Sequence, residues 1–359
     1  MKGYDSVGSV KTMKSQSIKR ELEQLRSRKG SLVQVSNVEW YSLFKDEIRN
    51  SIAIEGVFTN RTELIDVLER NKRTDKHKAA AILGYFDSAS AMYEYAANQY
   101  KEKEFSLRMS DIKQIHTLLM RYEKEMGFYI GEIGEFRDTT AQVAHSMFTP
   151  ISEFYVRTAM ELLIKWVNHH LKDGKQDFVA LAAMAHVWFE AIHPFRDGNG
   201  RSGRILLSYI LIGCGLLNVA IKGISKNDRE HYYNALEKAD DGFEKLHRRI
   251  ERRESFNLKA VDQFIDPRDF EDIVSIVSNR LNDSVSRLKN AGIQHIDKEA
   301  QLPLSDLARI YNYSPDYLRN LINRDQLKGH KKGKTWYVRL RDMAEYVERL
   351  RPAPSPAHL

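Results

Sequence analysis

The residues of this 359-residue chain that could do chemistry are concentrated in twelve positions, His193 to Arg204. His193 carries an imidazole whose ordinary pKa lies near neutrality, so it could take a proton from an attacking hydroxyl. Asp197 offers a hard carboxylate oxygen, which suits Mg²⁺, the ion that normally accompanies nucleotide phosphates. A base and a metal ligand so close together favour chemistry on a phosphate compound.

The same stretch passes from a loop into a helix around Asn199, which is flanked by Gly198 and Gly200. Glycines let backbone N–H groups turn inward, and a helix N-terminus adds partial positive charge. Arg201 and Arg204 are three positions apart and share one helix face, where both guanidinium groups could reach one phosphate. A Gly-x-Gly turn or a lone histidine is common, but the whole set within twelve residues predicts a phosphate-binding active site.

This stretch, His-Pro-Phe-Arg-Asp-Gly-Asn-Gly-Arg-Ser-Gly-Arg, resembles the signature of the Fic (filamentation induced by cAMP) family at every fixed position, and the resemblance extends over about 106–264. It implies an Mg²⁺- and ATP-dependent transfer of AMP to a tyrosine, threonine or serine hydroxyl of a target protein. The implied roles are general base for His193, Mg²⁺ ligand for Asp197, phosphate cradle for Gly198, Asn199 and Gly200, α/β-phosphate contact for Arg201 and γ-phosphate contact for Arg204.

Two further segments resemble substrate-binding parts of that family. Gly134-Glu-Phe-Arg137 opens a segment similar to the flap, a hairpin that pairs with the target through main-chain hydrogen bonds. The resemblance assigns this contact to Thr140, Ala141, Gln142 and Val143. Downstream, Tyr232, Tyr233 and Asp240 resemble the lining of the adenine pocket, although the family often has asparagine at the last position. Taken alone, these segments would be an ordinary surface hairpin and a pair of core tyrosines.

An inhibitory segment is the third part of the resemblance. Ser51-Ile-Ala-Ile-Glu55-Gly56 reads on its own as a helix end closed by glycine. It is similar to the inhibitory helix of autoinhibited Fic proteins, in which the glutamate pairs with the second signature arginine, here Arg204. The resemblance predicts that Glu55 occupies the γ-phosphate position and suppresses activity in cis.

Composition sets the broader class. Hydrophobic residues make up 42% and charged residues 29%, with a mean hydropathy of −0.52, which is typical of a soluble globular protein and argues against wholesale disorder or a membrane-embedded body. A single cysteine, Cys214, allows no intramolecular disulfide and no cysteine-based zinc site, and the polar start shows no signal peptide. We therefore expect a cytoplasmic protein.

The charge of the chain is uneven. Residues 1–30 hold 8 basic against 3 acidic residues and residues 301–351 hold 11 against 6, whereas the part between them is slightly acidic. This asymmetry favours an anionic partner at the two ends.

The spacing of apolar residues predicts a mainly α fold. We expect a basic, mobile leader over 1–30, an N-terminal helical region with the inhibitory helix over 31–105 and a Fic core with a small β-hairpin flap over 106–265. A connecting helix is expected over 266–298 and a tail over 352–359. The apolar seam of the connecting helix favours packing on the body, with a homodimer contact as the alternative. That seam is Val274, Val277, Leu281, Val285 and Leu288.

Residues 299–351 resemble a winged helix-turn-helix of the excisionase type. Ser314-Pro315 reads as an N-cap and first position of its second helix, and a lysine-rich hairpin follows over 329–338. The candidate recognition residues are Tyr317, Arg319, Asn320 and Asn323. Duplex DNA is the expected partner, with protein contact or dimerisation as the alternative.

Other functions remain open at this point. In some relatives the inhibitory glutamate orients a water that removes AMP, so a deAMPylating or bifunctional enzyme is one alternative. A DNA-binding regulator whose nucleotide site only senses a ligand is another, although His193 would then have no task. The motif does not exclude CTP, UTP or GTP as donor.

Overall fold

The computed structural model describes residues 5–29, 31–35, 37–70, 75–142, 148–254, 257–293, 301–311 and 313–349. The chain divides into two compact units, Met1–Leu288 and Lys289–Leu359. The helices that begin in the first unit are α1 (Asp5–Lys29), α2 (Val38–Ile54), α3 (Arg61–Arg70), α4 (Lys76–Glu102), α5 (Met109–Glu125), α6 (Val156–Asp173), α7 (Phe178–Ile192), α8 (Asn199–Gly213), α9 (Lys226–Glu251), α10 (Leu258–Val261) and α11 (Glu271–Ile293), with short 3₁₀ turns at Glu153–Tyr155 and Asp262–Phe264.

The basic N-terminal segment differs from the expected mobile leader. It forms helix α1, and its side chains Ile18 and Leu22 are buried in the core of the first unit. These two residues are four positions apart and therefore lie on one helix face. Two apolar residues among many charges give a weak periodic signal, which is why the sequence favoured a leader.

Helix α2 ends in a geometry that fixes the last residues of the inhibitory segment. The N–H of Gly56 donates to the carbonyl of Ala53, and the N–H of Val57 donates to the carbonyl of Ile52. Gly56 has φ +82°, a left-handed conformation that glycine adopts without steric cost. This Schellman closure holds Glu55 at the end of α2, directly after the last helical turn.

Helices α7 and α8 form the centre of the first unit. Nearly every side chain of both is buried, and Trp188 of α7 stacks on Phe243 of α9. Asp177 caps α7 by accepting hydrogen bonds from the N–H groups of Val179 and Ala180. The loop between these two packed helices therefore has rigid elements at both ends.

The seam of α11 is buried in the core of its own unit, as the packing interpretation predicted. Its five residues are each at most 6% exposed and belong to the same hydrophobic cluster as α7 and α8. The alternative of a homodimer contact through this seam is therefore not supported, because the chain itself covers the seam.

The second unit has the predicted elements of a winged helix-turn-helix. It contains β1 (Gln301–Pro303), α12 (Leu304–Tyr311), α13 (Pro315–Asn323), β2 (Gly329–Lys332), β3 (Thr335–Arg339) and α14 (Leu340–Arg349). The strands form an antiparallel sheet in the order β1-β3-β2, with Lys332 opposite Thr335 at the tip. The Ser314 side chain accepts a hydrogen bond from the N–H of Tyr317, so it caps α13 as predicted. This unit has a separate small core.

Across the described ranges, no helix combines the length and apolar character that crossing a membrane requires.

Candidate functional site

His193 lies at the C-terminal end of α7 in a left-handed backbone conformation, with φ +51°. Its N–H donates to the carbonyl of Phe189, and its carbonyl accepts a hydrogen bond from Arg137 Nε at 2.8 Å. This conformation is uncommon outside glycine and persists only where the surroundings hold it. Burial, with a smaller effect of the Arg137 charge, lowers the pKa of His193 below its ordinary value. The imidazole is therefore neutral at pH 7 and able to accept a proton.

Arg137 is the residue that holds the chain around His193. Its side chain is 5% exposed and donates to the carbonyls of His193, Ile192, Ile151 and Thr139, the last at 2.8 Å. Its own N–H donates to the carbonyl of Pro194. The sequence pointed to Arg137 only as part of the flap segment, yet here the residue joins that segment to the end of α7.

The loop that follows is closed by the Asn199 side chain. Asn199 Oδ1 accepts from the N–H of Phe195, and Asn199 Nδ2 donates to the carbonyl of Phe195, both at 2.8 Å. Gly198 has φ +75° and begins α8 without a side-chain cap. The Asn199 amide is therefore already paired with backbone, and the cradle consists of the backbone N–H groups at the start of α8.

Asp197 is exposed at the cavity beside this helix start, and its Oδ1 accepts from the N–H of Gly198 at 2.6 Å. Within the described ranges, no cluster of three or more histidine, cysteine or carboxylate side chains is arranged to hold a metal. A single carboxylate still fits Mg²⁺, because this ion is commonly bound through one or two carboxylates, waters and substrate phosphates.

His116 supports the loop from the side of α5, although no motif in the sequence marks it. The N–H of Gly134 donates to His116 Nδ1 at 2.8 Å, and His116 Nε2 is 3.1 Å from the carbonyl of Asp197. Its ring stacks on Phe195 with centroids 3.8 Å apart. Burial lowers the pKa of His116 to about 4, so the ring is neutral with its proton on Nε2. A histidine in an apolar helix pattern gives no signal of this role.

The predicted contact between the inhibitory segment and the second signature arginine is present. Arg204 Nη2 is 2.5 Å from Glu55 Oε1, Arg204 Nε donates to Ser51 Oγ at 2.8 Å, and Nη2 also donates to the Ser51 carbonyl at 3.1 Å. The Arg204 side chain is 4% exposed and that of Glu55 is 37% exposed. Burial opposes ionisation of Glu55, but the adjacent Arg204 charge outweighs it and lowers the pKa of this carboxyl. Glu55 is therefore a carboxylate that holds Arg204.

Arg201 does not join Arg204. Its guanidinium contacts both carboxylate oxygens of Glu123 on α5, and both side chains are buried. The cavity beside His193 is lined by Arg204 but not by Arg201. Although the two arginines share a helix face by spacing, Glu123 takes one of them into an ion pair that a linear motif cannot reveal.

The cavity has a volume of about 270 Å³. It extends from the start of α8 and Arg204 to the aromatic segment of α9. Tyr232 is buried and its hydroxyl is 2.7 Å from Nε2 of His186. The Tyr233 hydroxyl donates to the carbonyl of Ile54, the last residue of α2. Burial raises the pKa of Asp240 to about 8, with Glu237 and Asp241 adding to the effect. The predicted base-pocket residues therefore all line this cavity, and one of them contacts the inhibitory helix.

The flap residues are only partly described. Thr140 and Gln142 are exposed, Ala141 is half-buried, and Gln142 lines the cavity. Val143 lies outside the described residues. The described stretches 131–142 and 148–150 contain no strand, so the predicted hairpin stays a prediction.

Comparison with known proteins agrees with this geometry. Residues 106–211 match the family model described as Fic/DOC family. The chain carries a Fic domain. Residues 304–351 match a helix-turn-helix domain, so the second unit is of that class.

Relatives and solved structures extend the likeness beyond the Fic domain. A protein of Aquifex aeolicus named probable protein adenylyltransferase is 28% identical over 310 residues, which cover 85% of this chain and 88% of that protein. The Aedes aegypti protein adenylyltransferase Fic is 28% identical over 238 residues, 62% of this chain and 44% of the mosquito protein. This chain thus spans less than half of the insect relative.

The fold is also similar to two solved structures. A Fic domain containing signaling protein from Bacteroides thetaiotaomicron has a TM-score of 0.60 at 20% identity, covering 79% of this chain and 98% of that one. Fic-1 from C. elegans has a TM-score of 0.52 at 21% identity, covering 77% of this chain and 72% of that one. At these identities the likeness establishes the fold alone.

Proposed function

We propose that the chain is a protein adenylyltransferase that transfers AMP from ATP to a hydroxyl side chain of a target protein. The observation that carries the proposal is the convergence of His193, Asp197, the N-terminal amides of α8 and Arg204 on one cavity. The adenylyltransferase names of the relatives support the same activity. Arginine and helix-start amides suit a triphosphate, and a neutral imidazole suits removal of a hydroxyl proton.

In this reaction the target hydroxyl oxygen forms a bond to the α-phosphorus of ATP while the bond from that phosphorus to the pyrophosphate oxygen breaks. His193 accepts the hydroxyl proton, and pyrophosphate leaves. The backbone amides of Asn199 and Gly200, together with Arg204, hold the phosphates in line with the attack, whereas the N–H of Gly198 donates to Asp197. Positioning and charge stabilisation therefore supply most of the rate. Bound Mg²⁺, held by Asp197 and the phosphates, would neutralise charge on the phosphate oxygens.

Glu55 restrains this reaction because it holds the guanidinium that the γ-phosphate needs. A γ-phosphate at Arg204 would also meet the negative charge of Glu55, with which Arg204 is already paired at 2.5 Å. ATP therefore binds in an unproductive pose, or not at all, until the end of α2 moves away. The brake acts in cis, since both residues belong to one chain.

We assign Arg201 a structural role instead of the α/β-phosphate contact that its position in the motif implies. Arg201 does not line the cavity, and its guanidinium is paired with the buried carboxylate of Glu123. Arg201 instead fixes the first turn of α8 against α5 and so supports the amides that bind phosphate.

The base of the nucleotide lies against Tyr232, Tyr233 and Asp240 in this proposal. Aromatic rings offer a stacking surface for a purine, and the carboxyl of Asp240 offers a polar contact at the base edge. ATP is the proposed donor because the relatives are adenylyltransferases. Use of ATP and the single cysteine fit a cytoplasmic location.

The helix-turn-helix unit is proposed to bind duplex DNA. Tyr317, Arg319, Asn320 and Asn323 are all exposed on α13, opposite the buried Leu318, Leu321 and Ile322. Lys331, Lys332 and Lys334 are exposed at the tip of the β2–β3 hairpin. A polar helix face beside a basic wing suits base edges and phosphates respectively.

Parallel labelling with α- and γ-labelled ATP tests the enzyme proposal. The Glu55→Gly protein is incubated with each donor and a cell extract that contains candidate targets, and label in protein is counted. We expect label from the α-position only and none with the Glu55→Gly/His193→Ala double variant. Label from the γ-position would indicate phosphoryl transfer instead, and label that survives His193→Ala would remove the base from the mechanism.

A further inference from the structure

Glu190 is a buried carboxyl in the cavity wall that no part of the proposed mechanism uses. It lies one turn before His193 on α7 and lines the cavity together with Glu55, Arg204 and Tyr232. Its side chain is 13% exposed, and its Oε1 has no hydrogen-bond partner among the described residues. A buried polar atom without a partner costs free energy, so it indicates a strained site or a missing ligand.

One side of Glu190 lies against helix α8, where its Oε1 is enclosed next to the residue that precedes Arg204. A Cβ placed on Gly203 would lie 2.1 Å from Glu190 Oε1, so the glycine before Arg204 gives the carboxyl its room against α8. The charges of Arg204, Glu55 and Asp240 all act on Glu190, whose pKa is raised to about 8 chiefly by burial. The group is therefore a neutral acid at pH 7, able both to donate and to accept a hydrogen bond.

The other side of Glu190 leads to the aromatic end. Glu190 Oε1 is 3.8 Å from Nδ1 of His186, whose Nε2 contacts the Tyr232 hydroxyl at 2.7 Å. Burial lowers the pKa of His186 to about 3, so this histidine is neutral and does not act as a counterion for Glu190. Glu190 thus lies close to both Arg204 and Tyr232, two residues whose side chains also interact with each other.

We infer that Glu190 binds a ribose hydroxyl of the nucleotide donor and selects ribonucleotides over deoxyribonucleotides. The inference rests on the proposed function, since it takes Arg204 as the phosphate contact and Tyr232 as the base contact. In ATP the ribose joins the base to the α-phosphate, so a nucleotide whose base lies against Tyr232 brings a ribose hydroxyl to the neighbouring Glu190. A site built to hydrogen-bond a hydroxyl rejects an analogue without it, because the buried polar group is left unpaired.

Donor analogues crossed with variants at this position test the inference. ATP, 2′-deoxy-ATP and 3′-deoxy-ATP are compared by kcat/KM in the Glu55→Gly protein, and again after adding Glu190→Ala or Glu190→Gln. We expect the Glu55→Gly protein to prefer ATP about tenfold over at least one analogue, Glu190→Ala to reduce that preference to near unity, and Glu190→Gln, which still donates and accepts, to keep most of it. The matched control is Glu237→Gln, a carboxyl at the exposed rim of the same cavity, which should leave the preference unchanged.

Two outcomes overturn the inference. Equal use of ATP and both analogues by the Glu55→Gly protein would do so whatever the variants show, even if Glu190→Ala failed to fold. Full preference for ATP in folded Glu190→Ala protein would do so as well. Competition binding of the three nucleotides to the Glu55→Gly/His193→Ala protein separates this inference from the proposed reaction, since it measures sugar selection without transfer.

Discussion

Arg204 is the residue on which the restrained and active states of the site differ. In this structure its donors are directed to Ser51 and Glu55, and its side chain is almost fully buried. A charge-assisted pair of this kind is worth a few kcal/mol, and a ligand must compete for the same donors. The guanidinium of Arg204 is therefore both the group that binds the inhibitory Glu55 and the proposed phosphate contact.

The pKa of His193 predicts the pH dependence of transfer. The neutral imidazole is the base, so activity rises as pH increases through the pKa of His193, which burial lowers below 6.5. Removing Glu55 takes away a negative charge that raises this pKa, so it moves further down. We expect the acid limb of kcat/KM for Glu55→Gly to have its midpoint below pH 6.5. A midpoint at or above 6.5 would contradict the assignment of a desolvated histidine as base.

The Glu123–Arg201 pair predicts a stability effect. Glu123→Gln leaves the buried Arg201 charge without a counterion, and breaking a buried ion pair from one side costs about 3–5 kcal/mol. We expect a clear fall in the free energy of unfolding measured by denaturant titration. Glu132→Gln, which affects the largely exposed pair with Lys124, is the control and should change stability by less than about 1 kcal/mol. Equal effects of the two variants would contradict a structural role for Arg201.

Some of these residues could be predicted from the sequence and others could not. His193, Asp197, Arg204 and Glu55 belong to short motifs, and the structure places all four at one cavity. The carboxyl groups of Glu123 and Glu190 lie on helices α5 and α7, and in the sequence neither can be distinguished from any other charged residue of a helix. Their roles arise from packing between helices, which spacing along one helix does not encode.

At the scale of elements, the closure of α2 determines where Glu55 stands. The Schellman hydrogen bonds and the left-handed Gly56 end the helix at the residue that pairs with Arg204. The sequence predicted this helix end, because a glycine after an apolar run is a strong stop signal. It did not predict that α1 packs on the core, because Ile18, Leu22 and Leu25 stand among many charged residues and give a weak periodic signal.

A substitution at Gly56, which closes α2, tests whether the end of this helix holds Glu55 in its inhibitory position. Among the described residues, no atom lies within 4 Å of a Cβ at this position, so Gly56→Ala adds only the cost of a left-handed alanine, about 1–2 kcal/mol. We expect this strain to loosen the end of α2 and raise AMP transfer several-fold, less than Glu55→Gly does. The matched control is Gly174→Ala, which ends α6 with φ +63° and equally open space. Both variants should lower the melting temperature, and a similar rise in activity for Gly174→Ala would exclude a specific effect on α2.

At the scale of the whole molecule, positive charge is concentrated at both ends of the chain and the part between them is slightly acidic. The sequence predicted the winged helix-turn-helix well, since capping residues and a lysine-rich turn are local signals. The positive charge of the C-terminal unit and its exposed α13 face favour the binding of an anionic partner.

Salt-dependent DNA binding tests that use in the full chain. Neutralising Lys331, Lys332 and Lys334 to glutamine should weaken binding to duplex DNA about tenfold or more at low salt and reduce the slope of log K against log salt by up to about three. The control neutralises three exposed lysines near the end of α6, Lys165, Lys172 and Lys175. An absence of DNA binding by the unaltered chain at low salt would remove this function.

The most direct measurement of the central claim is the initial rate of AMP transfer in the unaltered chain and in Glu55→Gly, with saturating α-labelled ATP and one common target preparation. Release of Arg204 should raise the rate about 100-fold or more, because a pair worth a few kcal/mol no longer competes with the γ-phosphate. Glu237→Gly, which removes a carboxylate from the rim of the same cavity, should leave the rate near that of the unaltered chain. Equal rates for the unaltered chain and Glu55→Gly, in a preparation that transfers AMP, would contradict the account.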